Sequence, residues 1–319
     1  MFFLNIGLIY LFAMNKEIDF RNVSVILPAY NEAAIIGRIV EQSQKATNEQ
    51  AEIIVIDDGS TDETAKIAQN ASAIVIKHPY NKGNGAAVKT GAKLAKHDIV
   101  VFLDSDGQHD PDDIPLLVEM MDRYDLVIGT RDFKGKDGLH RNIANKFYRR
   151  LASYLTEQKI LDLTSGFRVF RKKPLLNFLH LFPNRFSYPT TSTLSFIKAG
   201  FNVGFCPVNT LKRESKSKIK IFRDGSKFFL IIFKIIVLFH PFRIFFPVSV
   251  LLFMLGLVSG LLGIHAEGRL YIPNSATIFF VTSVVVFLLG LVSEQITSLK
   301  MENLEKMELL DKHNKNNSK

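Results

Sequence analysis

The stretch VVFLDSDGQHD, residues 100–110, begins like a buried strand and ends in a cluster of polar side chains. Its first four residues are apolar, which is typical of a strand covered on both faces. The next seven include three aspartates, a glutamine and a histidine. Because open α/β sheets bind ligands beyond the carboxyl ends of their strands, these side chains indicate a functional site. The stretch therefore predicts an α/β fold with its site at residues 104–110.

Short apolar runs and helical patterns alternate on both sides of this stretch. The predicted strands are VSVIL (23–27), EIIVID (52–57), AIVIK (73–77), DIVVFLD (98–104) and DLVIGT (125–130). The predicted helices between them cover residues 32–46, 61–71, 83–96 and 111–123. This alternation requires crossover connections, and it predicts a mostly parallel, Rossmann-like sheet with helices on both faces.

Polar clusters with the sequences PAYNE, DDGST and DSDGQHD follow three of these strands. A single acidic pair in a turn is usually solvated, but three clusters at strand ends of one sheet favour a shared binding site. Asp104 and Asp106 stand at positions i and i+2 of a turn, and Gln108 adds a neutral oxygen. Oxygen ligands in this pattern favour a hard divalent cation that holds a diphosphate.

Two long uncharged runs in the C-terminal part predict transmembrane helices at about 244–264 and 276–296. Buried core helices are disfavoured because two such runs occur in succession. Lysines and arginines precede the first run, five lysines follow the second, and the loop between them contains only Arg269 as a basic residue. We therefore predict a multi-pass protein of the cytoplasmic membrane, with both termini and the α/β domain on the cytoplasmic side.

The remaining segments complete the predicted domain organisation. The α/β domain is expected at 21–218, followed by amphipathic helices at 219–243 that lie in the membrane interface, since basic residues are spaced through an apolar run. Residues 297–319 are a predicted cytoplasmic tail. Residues 1–20 form a short apolar segment without the basic start or the cleavage site of a signal peptide, and Met14 is hypothesised as an alternative start.

Charge is concentrated in the middle of the chain. Residues 131–243 contain 23 Lys and Arg against 6 Asp and Glu, whereas the other residues contain 17 against 25. Nucleic acid is one class of partner that such a bias attracts. The basic segment directly precedes the predicted membrane helices, and this position favours anionic lipids or an anionic membrane substrate instead. The single cysteine, Cys206, excludes an intrachain disulfide.

The motifs PAYNE, VIDDGSTDET, NKGNGAAVKTG, FLDSDGQHDPDDI, IGTR and SGFRVFR, in this order, resemble those of the family 2 glycosyltransferases with the GT-A fold. Within that family the chain is most similar to the dolichyl-phosphate mannose synthase group. The resemblance covers residues 23 to about 220. It implies a GDP- or UDP-sugar donor, a magnesium or manganese ion, and inversion at the anomeric carbon of the sugar.

The resemblance also implies roles for individual residues. Those that hold the nucleoside are Pro28, Ala29, Tyr30, Glu32, Ile56 and Asp58. Asp104 and Ser105 contact the ribose and diphosphate, and Asp106 and Gln108, with Asp104, bind the metal. Arg131 and Arg213 are expected to bind phosphates of the donor or the acceptor. Arg168 is expected on the acceptor side and Lys198 on the donor side, and Lys218 is a further cation of the pocket.

Two features leave alternatives open. In NKGNGAAVKTG, the glycines before a helix have two possible roles. They either expose amide groups to an anion, or they let the chain approach the nucleotide closely at Gly83 and Gly85, with Lys82 nearby. The P-loop pattern is absent. Asp57 is either a contact to the base or a structural cap. His109 is expected beside the metal ligands rather than among them.

The acceptor is predicted from an absence of acidic residues. A hydroxyl acceptor needs a general base, but residues 163–213 contain no Asp or Glu. A phosphate monoester is already anionic at neutral pH and needs only cations to bind it. We therefore predict a polyprenyl phosphate acceptor, dolichyl or undecaprenyl. A hydroxyl acceptor on a glycolipid or polysaccharide is the second reading, and a non-catalytic tethered binding protein the third; no oligomeric state is predicted.

Overall fold

The structure is a computed structural model that describes residues 18–131, 148–150, 152–153, 156–185, 187–209, 233, 237, 241–267 and 272–317. The chain divides into two compact units, Met1–Ile231 and Ile232–Lys319. The predicted N-terminal segment up to residue 17 and most of the predicted interfacial segment 219–243 lie outside the described residues. The proposed domain boundaries in these regions remain predictions.

The first unit contains a seven-stranded sheet among the described residues. Its strands are β1 (Val23–Ala29), β2 (Glu52–Asp57), β3 (Ile74–Lys77), β4 (Ile99–Phe102), β5 (Leu126–Thr130), β6 (Arg168–Arg171) and β7 (Val203–Pro207). The order across the sheet is β3-β2-β1-β4-β6-β5-β7. Only β6 runs antiparallel to its neighbours, β4 and β5. The predicted mostly parallel sheet is confirmed.

Residues 148–150, 152–153 and 156 are helical. Six further α-helices, whose bounds are described, accompany the strands of this unit. They are α1 (Ile36–Ala46), α2 (Thr64–Asn70), α3 (Asn84–Leu94), α4 (Ile114–Glu119), α5 (Lys172–Phe178) and α6 (Tyr188–Lys198). The five predicted strands and four predicted helical regions are all present. α1 begins four residues later than predicted, and the predicted helix 111–123 is split into a short α-helix between two 3₁₀ turns.

The central strand β1 is buried on both faces, which accounts for its continuous apolar sequence. Val25 and Leu27 belong to the large core cluster, while Ile26 faces helix α3. A Cβ atom at Gly91 would lie 2.2 Å from the Ile26 side chain, so only glycine lets α3 pack this closely on the sheet. This contact fixes the position of α3 beside the strands that carry the site.

The second unit contains two long helices, α7 (Phe242–Glu267) and α8 (Asn274–Asn317). Spans of 25 and 26 residues, Phe242–Ala266 and Asn274–Leu299, are long and apolar enough to cross a membrane. Their apolar side chains are largely exposed, and a surface of this kind is unfavourable in water. Both predicted spans are helical, and α8 continues through most of the predicted tail.

Small residues and hydroxyls lie where the two helices pack against each other. The Ser283 hydroxyl donates to the Ser249 carbonyl at 2.9 Å. A Cβ atom at Gly256 would lie 3.0 Å from the Phe280 ring. Helices that associate in lipid use such small and polar contacts, because burial of apolar surface gives no net gain there.

Candidate active site

A pocket of about 360 Å³ opens where β1, β2 and β4 end. It brings together most of the residues that the sequence predicts for the site. The predicted residues that line it are Pro28, Ala29, Tyr30, Glu32, Asp58, Gly83, Asp104, Ser105, Asp106, Gln108 and Arg131. Three separate strand-end loops therefore contribute to one cavity, as expected for an open α/β sheet.

Other predicted residues lie outside the lining. Ile56 is fully buried in β2, opposite Pro28 of β1 in the sheet register. The Lys82 ammonium lies 5.7 Å from the centre of the Tyr80 ring, and Lys198 is half-buried at the end of α6. Ile56 thus supports the pocket from behind rather than lining it.

The predicted cations Arg213 and Lys218 lie outside the described residues. Their phosphate-binding roles remain predictions from the resemblance.

The loop after β1 is held by the loop after β2. The Asn31 side chain accepts from the Thr61 amide at 2.9 Å, and the Asn31 amide donates to the Ser60 hydroxyl at 2.9 Å. The Glu32 amide donates to the Thr64 hydroxyl, also at 2.9 Å. Asn31 therefore joins two loops instead of capping α1, and it holds its neighbours Tyr30 and Glu32 in the pocket wall.

The two aspartates after β2 have different structural roles. Asp57 is fully buried and accepts from the Ser60 amide at 2.8 Å, so the structure supports a turn-forming role and not a base contact. Asp58 accepts from the Lys82 amide at 3.0 Å and the Gly83 amide at 2.7 Å. Its other neighbour is His78, whose Nδ1 lies 2.7 Å from the carboxylate. Asp58 thus holds the loop that precedes α3 against the pocket.

The glycines of the NKGNG motif allow a second segment of chain to pack against α3. The Gly85 amide donates to the Arg185 carbonyl at 3.4 Å, and the Ala86 amide to the Asn184 carbonyl at 2.8 Å. A Cβ atom at Gly85 would lie 2.0 Å from the Pro183 carbonyl oxygen. The amides of Gly85 and Ala86 are therefore used within the protein, which favours close approach of the chain over a phosphate-binding loop.

The loop after β4 presents the predicted metal ligands. Asp106 accepts from the Gln108 amide at 3.1 Å, and Gly107 between them has φ of 74°, a left-handed conformation that glycine adopts without strain. The Asn84 side chain reaches the Asp104 carboxylate at 3.4 Å. The acidic side chains and the amide thus share one cavity through a tight turn.

This donor set fits a hard divalent cation. Asp104, Asp106 and Gln108 offer only oxygen, the element that Mg²⁺ prefers. Within the described residues there is no group of three or more His, Cys, Asp or Glu side chains that could enclose a metal ion. Mg²⁺ is usually bound by only one or two protein carboxylates, and its other coordination positions are filled by water and substrate phosphates.

His109 lies behind this loop, outside the pocket lining. It is buried, and its ring centre is 5.5 Å from that of Phe167. Burial and the nearby Arg131 lower the pKa of His109 to about 3, so the imidazole is neutral at physiological pH. The expectation that His109 lies beside the metal ligands rather than among them stays a prediction.

Arg131 is anchored by an aspartate that the sequence analysis overlooked. Its Nε donates to the Asp162 carboxylate at 3.1 Å, and its Nη2 contacts the Thr164 hydroxyl. Burial raises the pKa of the Asp162 carboxyl, but the charge and hydrogen bond of Arg131, the Thr164 amide and the charge of Arg168 together outweigh burial, and the pKa lies below its usual value. Asp162 stands one position before the acid-free stretch, and it is paired and buried rather than exposed in the pocket.

Arg168 does not reach the pocket, which corrects its predicted contact with the acceptor. The side chain is fully buried. Its Nε donates to the Ser165 carbonyl at 2.6 Å, and its Nη1 donates to the hydroxyls of Thr193 at 2.7 Å and Ser192 at 3.0 Å. Burial lowers the pKa of Arg168 to about 10, so it remains charged at neutral pH. It is a positioning residue that joins the SGFR loop to α6.

The start of α6 and the segment just before it add lining residues that sequence reasoning missed. Arg185, Ser187, Tyr188 and Pro189 all face the pocket. The Tyr188 hydroxyl donates to the Gly166 carbonyl at 3.1 Å, and burial raises its pKa well above the usual value. No motif marked this segment, because its role depends on packing against residues about 100 positions earlier.

Two family patterns match the chain. Glycosyl transferase family 2 matches residues 24–178, and the GtrB C-terminal hairpin matches residues 240–299. The second match covers both apolar helices, and together these findings indicate a membrane protein.

Curated relatives support the first match. A UDP-N-acetylglucosamine–dolichyl-phosphate N-acetylglucosaminyltransferase of Methanococcus voltae is 31% identical over 60% of this chain and 86% of that protein. An undecaprenyl-phosphate 4-deoxy-4-formamido-L-arabinose transferase of Pectobacterium carotovorum subsp. carotovorum is 32% identical over 51% of this chain. The match spans about half of the length of that relative, 52%.

Solved structures share the fold of the first unit. Glucosyl-3-phosphoglycerate synthase of Mycobacterium tuberculosis, in complex with Mn²⁺, UDP and glucosyl-3-phosphoglycerate, covers 72% of this chain with a TM-score of 0.57 and 21% identity; 83% of that chain is covered. The predicted GT-A fold is thereby confirmed. The chain is a glycosyltransferase and belongs to glycosyl transferase family 2, with a GtrB-type hairpin at its C-terminal end.

Proposed function

We propose that this enzyme transfers a sugar, with inversion, from a GDP- or UDP-sugar to a polyprenyl phosphate on the cytoplasmic side of the membrane. One observation carries the acceptor assignment. The pocket lining that comes from residues after position 130 contains two arginines, hydroxyls and a proline, but no carboxylate among the described residues. A site built this way binds an anion and offers no general base for a hydroxyl group.

The donor fits the other part of the lining. The end of β1 and the loop that follows it would hold the nucleoside through Pro28, Tyr30 and Glu32. Asp104, Asp106 and Gln108 would hold a divalent cation, which when bound supplies positive charge to the leaving diphosphate. The Mn²⁺ and UDP of the mycobacterial structure support this arrangement. The base and the choice between Mg²⁺ and Mn²⁺ are left to experiment.

The reaction requires no proton transfer at the attacking atom. An oxygen of the acceptor phosphate forms a bond to the anomeric carbon while the bond from that carbon to the donor diphosphate breaks, and the nucleoside diphosphate leaves. Arg131, whose Nε and Nη2 are bonded to Asp162, would contribute positive charge beside a phosphate of the reacting complex.

The lipid part of the acceptor matches the second unit. Relatives named for dolichyl-phosphate and undecaprenyl-phosphate transfer support an acceptor of this class. The basic balance of residues 131–243 supports contact with anionic lipids of the cytoplasmic leaflet. A hydroxyl acceptor is less well supported, since Asp162, the acid directly before the acid-free stretch 163–213, is paired with Arg131.

The acceptor is tested with purified protein, a panel of GDP- and UDP-sugars, and a short polyprenyl phosphate. We expect one donor to give a product whose sugar is released by mild acid, as a glycosyl phosphodiester requires, and the matched polyprenol without phosphate to be inert. Transfer to the polyprenol or to a glycolipid hydroxyl, with polyprenyl phosphate ignored, would refute the proposal.

The orientation is tested with single cysteines labelled by an impermeant maleimide in intact cells. Arg269→Cys, in the loop between the spans, should be labelled from outside, and Lys315→Cys should not. The native Cys206 provides the background control, because it is buried and burial raises its thiol pKa to about 12. Reversed labelling would place the enzyme on the side without nucleotide-sugars.

A further inference from the structure

The segment Pro183–Arg185 is fixed against the start of α3 by several backbone contacts. The carbonyls of Asn184 and Arg185 accept from the first amides of that helix. The Lys89 ammonium contacts the Asn184 side chain and donates to the Phe182 carbonyl at 3.1 Å. A Cβ atom at Gly83 would lie 2.8 Å from the Cα of Arg185. The backbone of Arg185 therefore has a defined place at the edge of the pocket.

The side chain of Arg185 has no structural task in the described part of the chain. No hydrogen bond or ion pair of its guanidinium occurs among the described residues, although it lines the pocket and is exposed there. The other lining arginine, Arg131, is already engaged with Asp162 and Thr164. Arg185 is thus a cation held by its backbone, with a guanidinium available for a ligand.

Three amides at the start of α3 are used within the protein. The Gly83 amide donates to Asp58, and the amides of Gly85 and Ala86 donate to carbonyls. A cationic side chain beside this helix start would bind phosphate oxygens in their place.

We infer that Arg185 is a phosphate-binding residue of the active site. The inference rests on the proposed function and deepens it, because it replaces the buried Arg168 with an accessible guanidinium. Its ligand is a phosphate group of the reacting complex, either the donor diphosphate or the acceptor monoester. Both are anions that a guanidinium can bind with two parallel hydrogen bonds.

The test compares Arg185→Ala and Arg185→Lys with Arg123→Ala, an exposed arginine that does not line the pocket. One arm measures binding of GDP and of UDP with Mn²⁺ by calorimetry, and the other measures KM for a short polyprenyl phosphate at saturating donor. We expect Arg185→Ala to weaken one of these by about tenfold or more, which corresponds to about 1.4 kcal/mol. Arg185→Lys should recover part of the loss, and Arg123→Ala should change neither.

The arms identify the source of the phosphate. Weaker nucleotide binding assigns Arg185 to the donor, and a raised acceptor KM with normal nucleotide binding assigns it to the acceptor. Changes below twofold in both arms, for a variant with unchanged thermal unfolding, would overturn the inference; Arg185→Gln replaces Arg185→Ala in case the latter unfolds. If the wild-type enzyme uses an acceptor without phosphate, the proposed acceptor fails, and nucleotide binding alone then decides whether Arg185 binds phosphate.

Discussion

Gly166 is the position where a single added methyl group should disable the site without unfolding the protein. A Cβ atom there would lie 1.9 Å from Oδ2 of Asp104, whereas ordinary van der Waals contact begins at 3.4 Å. In Gly166→Ala the Asp104 carboxylate must therefore move by about 1.5 Å. The obstacle is the end of a flexible side chain and not backbone, so the surrounding fold should accommodate the change.

The expected loss follows from this displacement. A misplacement of about 1 Å in a reacting constellation costs on the order of 100-fold in rate. We therefore expect kcat/KM of Gly166→Ala to fall by at least about 100-fold, which is about 2.7 kcal/mol in transition-state stabilisation. Affinity for Mn²⁺, measured in the presence of nucleotide, should fall in parallel, while the thermal unfolding midpoint should change by only a few degrees.

Gly260→Ala is the matched control. It is the same substitution at a helical glycine whose added Cβ would meet its nearest neighbour at 4.0 Å, and it lies in the other unit. Its activity should remain within about twofold of the wild type. If Gly166→Ala retains activity within threefold of this control, then the Asp104 carboxylate is not needed at the position where the structure places it, and the metal-site assignment is wrong.

Three further substitutions test the structure at other points. Asp106→Ala should lower turnover by at least about 100-fold with normal unfolding, and excess chelator should abolish wild-type activity; full activity in either case ends the metal assignment. Asp162→Asn should cost about 2 to 3 kcal/mol of stability at pH 7. Because the pKa of Asp162 is lowered in the folded state, the difference in unfolding free energy from wild type, measured with urea, should shrink as pH falls below about 4. A difference that stays constant with pH contradicts the ion pair with Arg131. Arg168→Ala should cost about 3 to 5 kcal/mol in urea unfolding, since it leaves buried hydroxyls unpaired; normal stability with lost acceptor binding would restore its predicted direct role.

Local sequence signals were sufficient to predict the five strands before residue 131. Each is a continuous apolar run bounded by polar or turn residues. β1, β2, β4 and β5 are largely buried in the sheet, whereas β3 is an edge strand that is partly exposed. The strands β6 and β7 were not predicted. β6 has only four residues, RVFR, two of which are arginines, and its strand character comes from pairing with β4 and β5 on either side. Such pairing is a tertiary effect without a local signal.

Residues of the site divide in the same way. Asp104, Asp106 and Gln108 were predictable because strand and ligands are contiguous in the sequence. The sequence alone does not indicate which of Arg168 and Arg185 reaches the pocket, since both are arginines near apolar residues. The structure separates them by burial: Arg168 is enclosed by hydroxyls of α6, and Arg185 is exposed in the pocket. Sequence composition reports how many cations a segment carries but not which of them reaches a ligand.

The charges of the pocket explain why a divalent cation and two arginines belong to the same site. The described lining contains four carboxylates, those of Glu32, Asp58, Asp104 and Asp106, against the two arginines. The Asp58 carboxylate accepts hydrogen bonds from two loop amides. The carboxylates of Glu32, Asp104 and Asp106 make the cavity repel a diphosphate. Under the proposed function, a divalent cation held by Asp104 and Asp106 would reverse that balance for the donor. The acceptor phosphate would then approach a second anion, and the two arginines, which come from the acid-free part of the lining, would supply positive charge for it. We therefore expect metal and donor to bind before the acceptor.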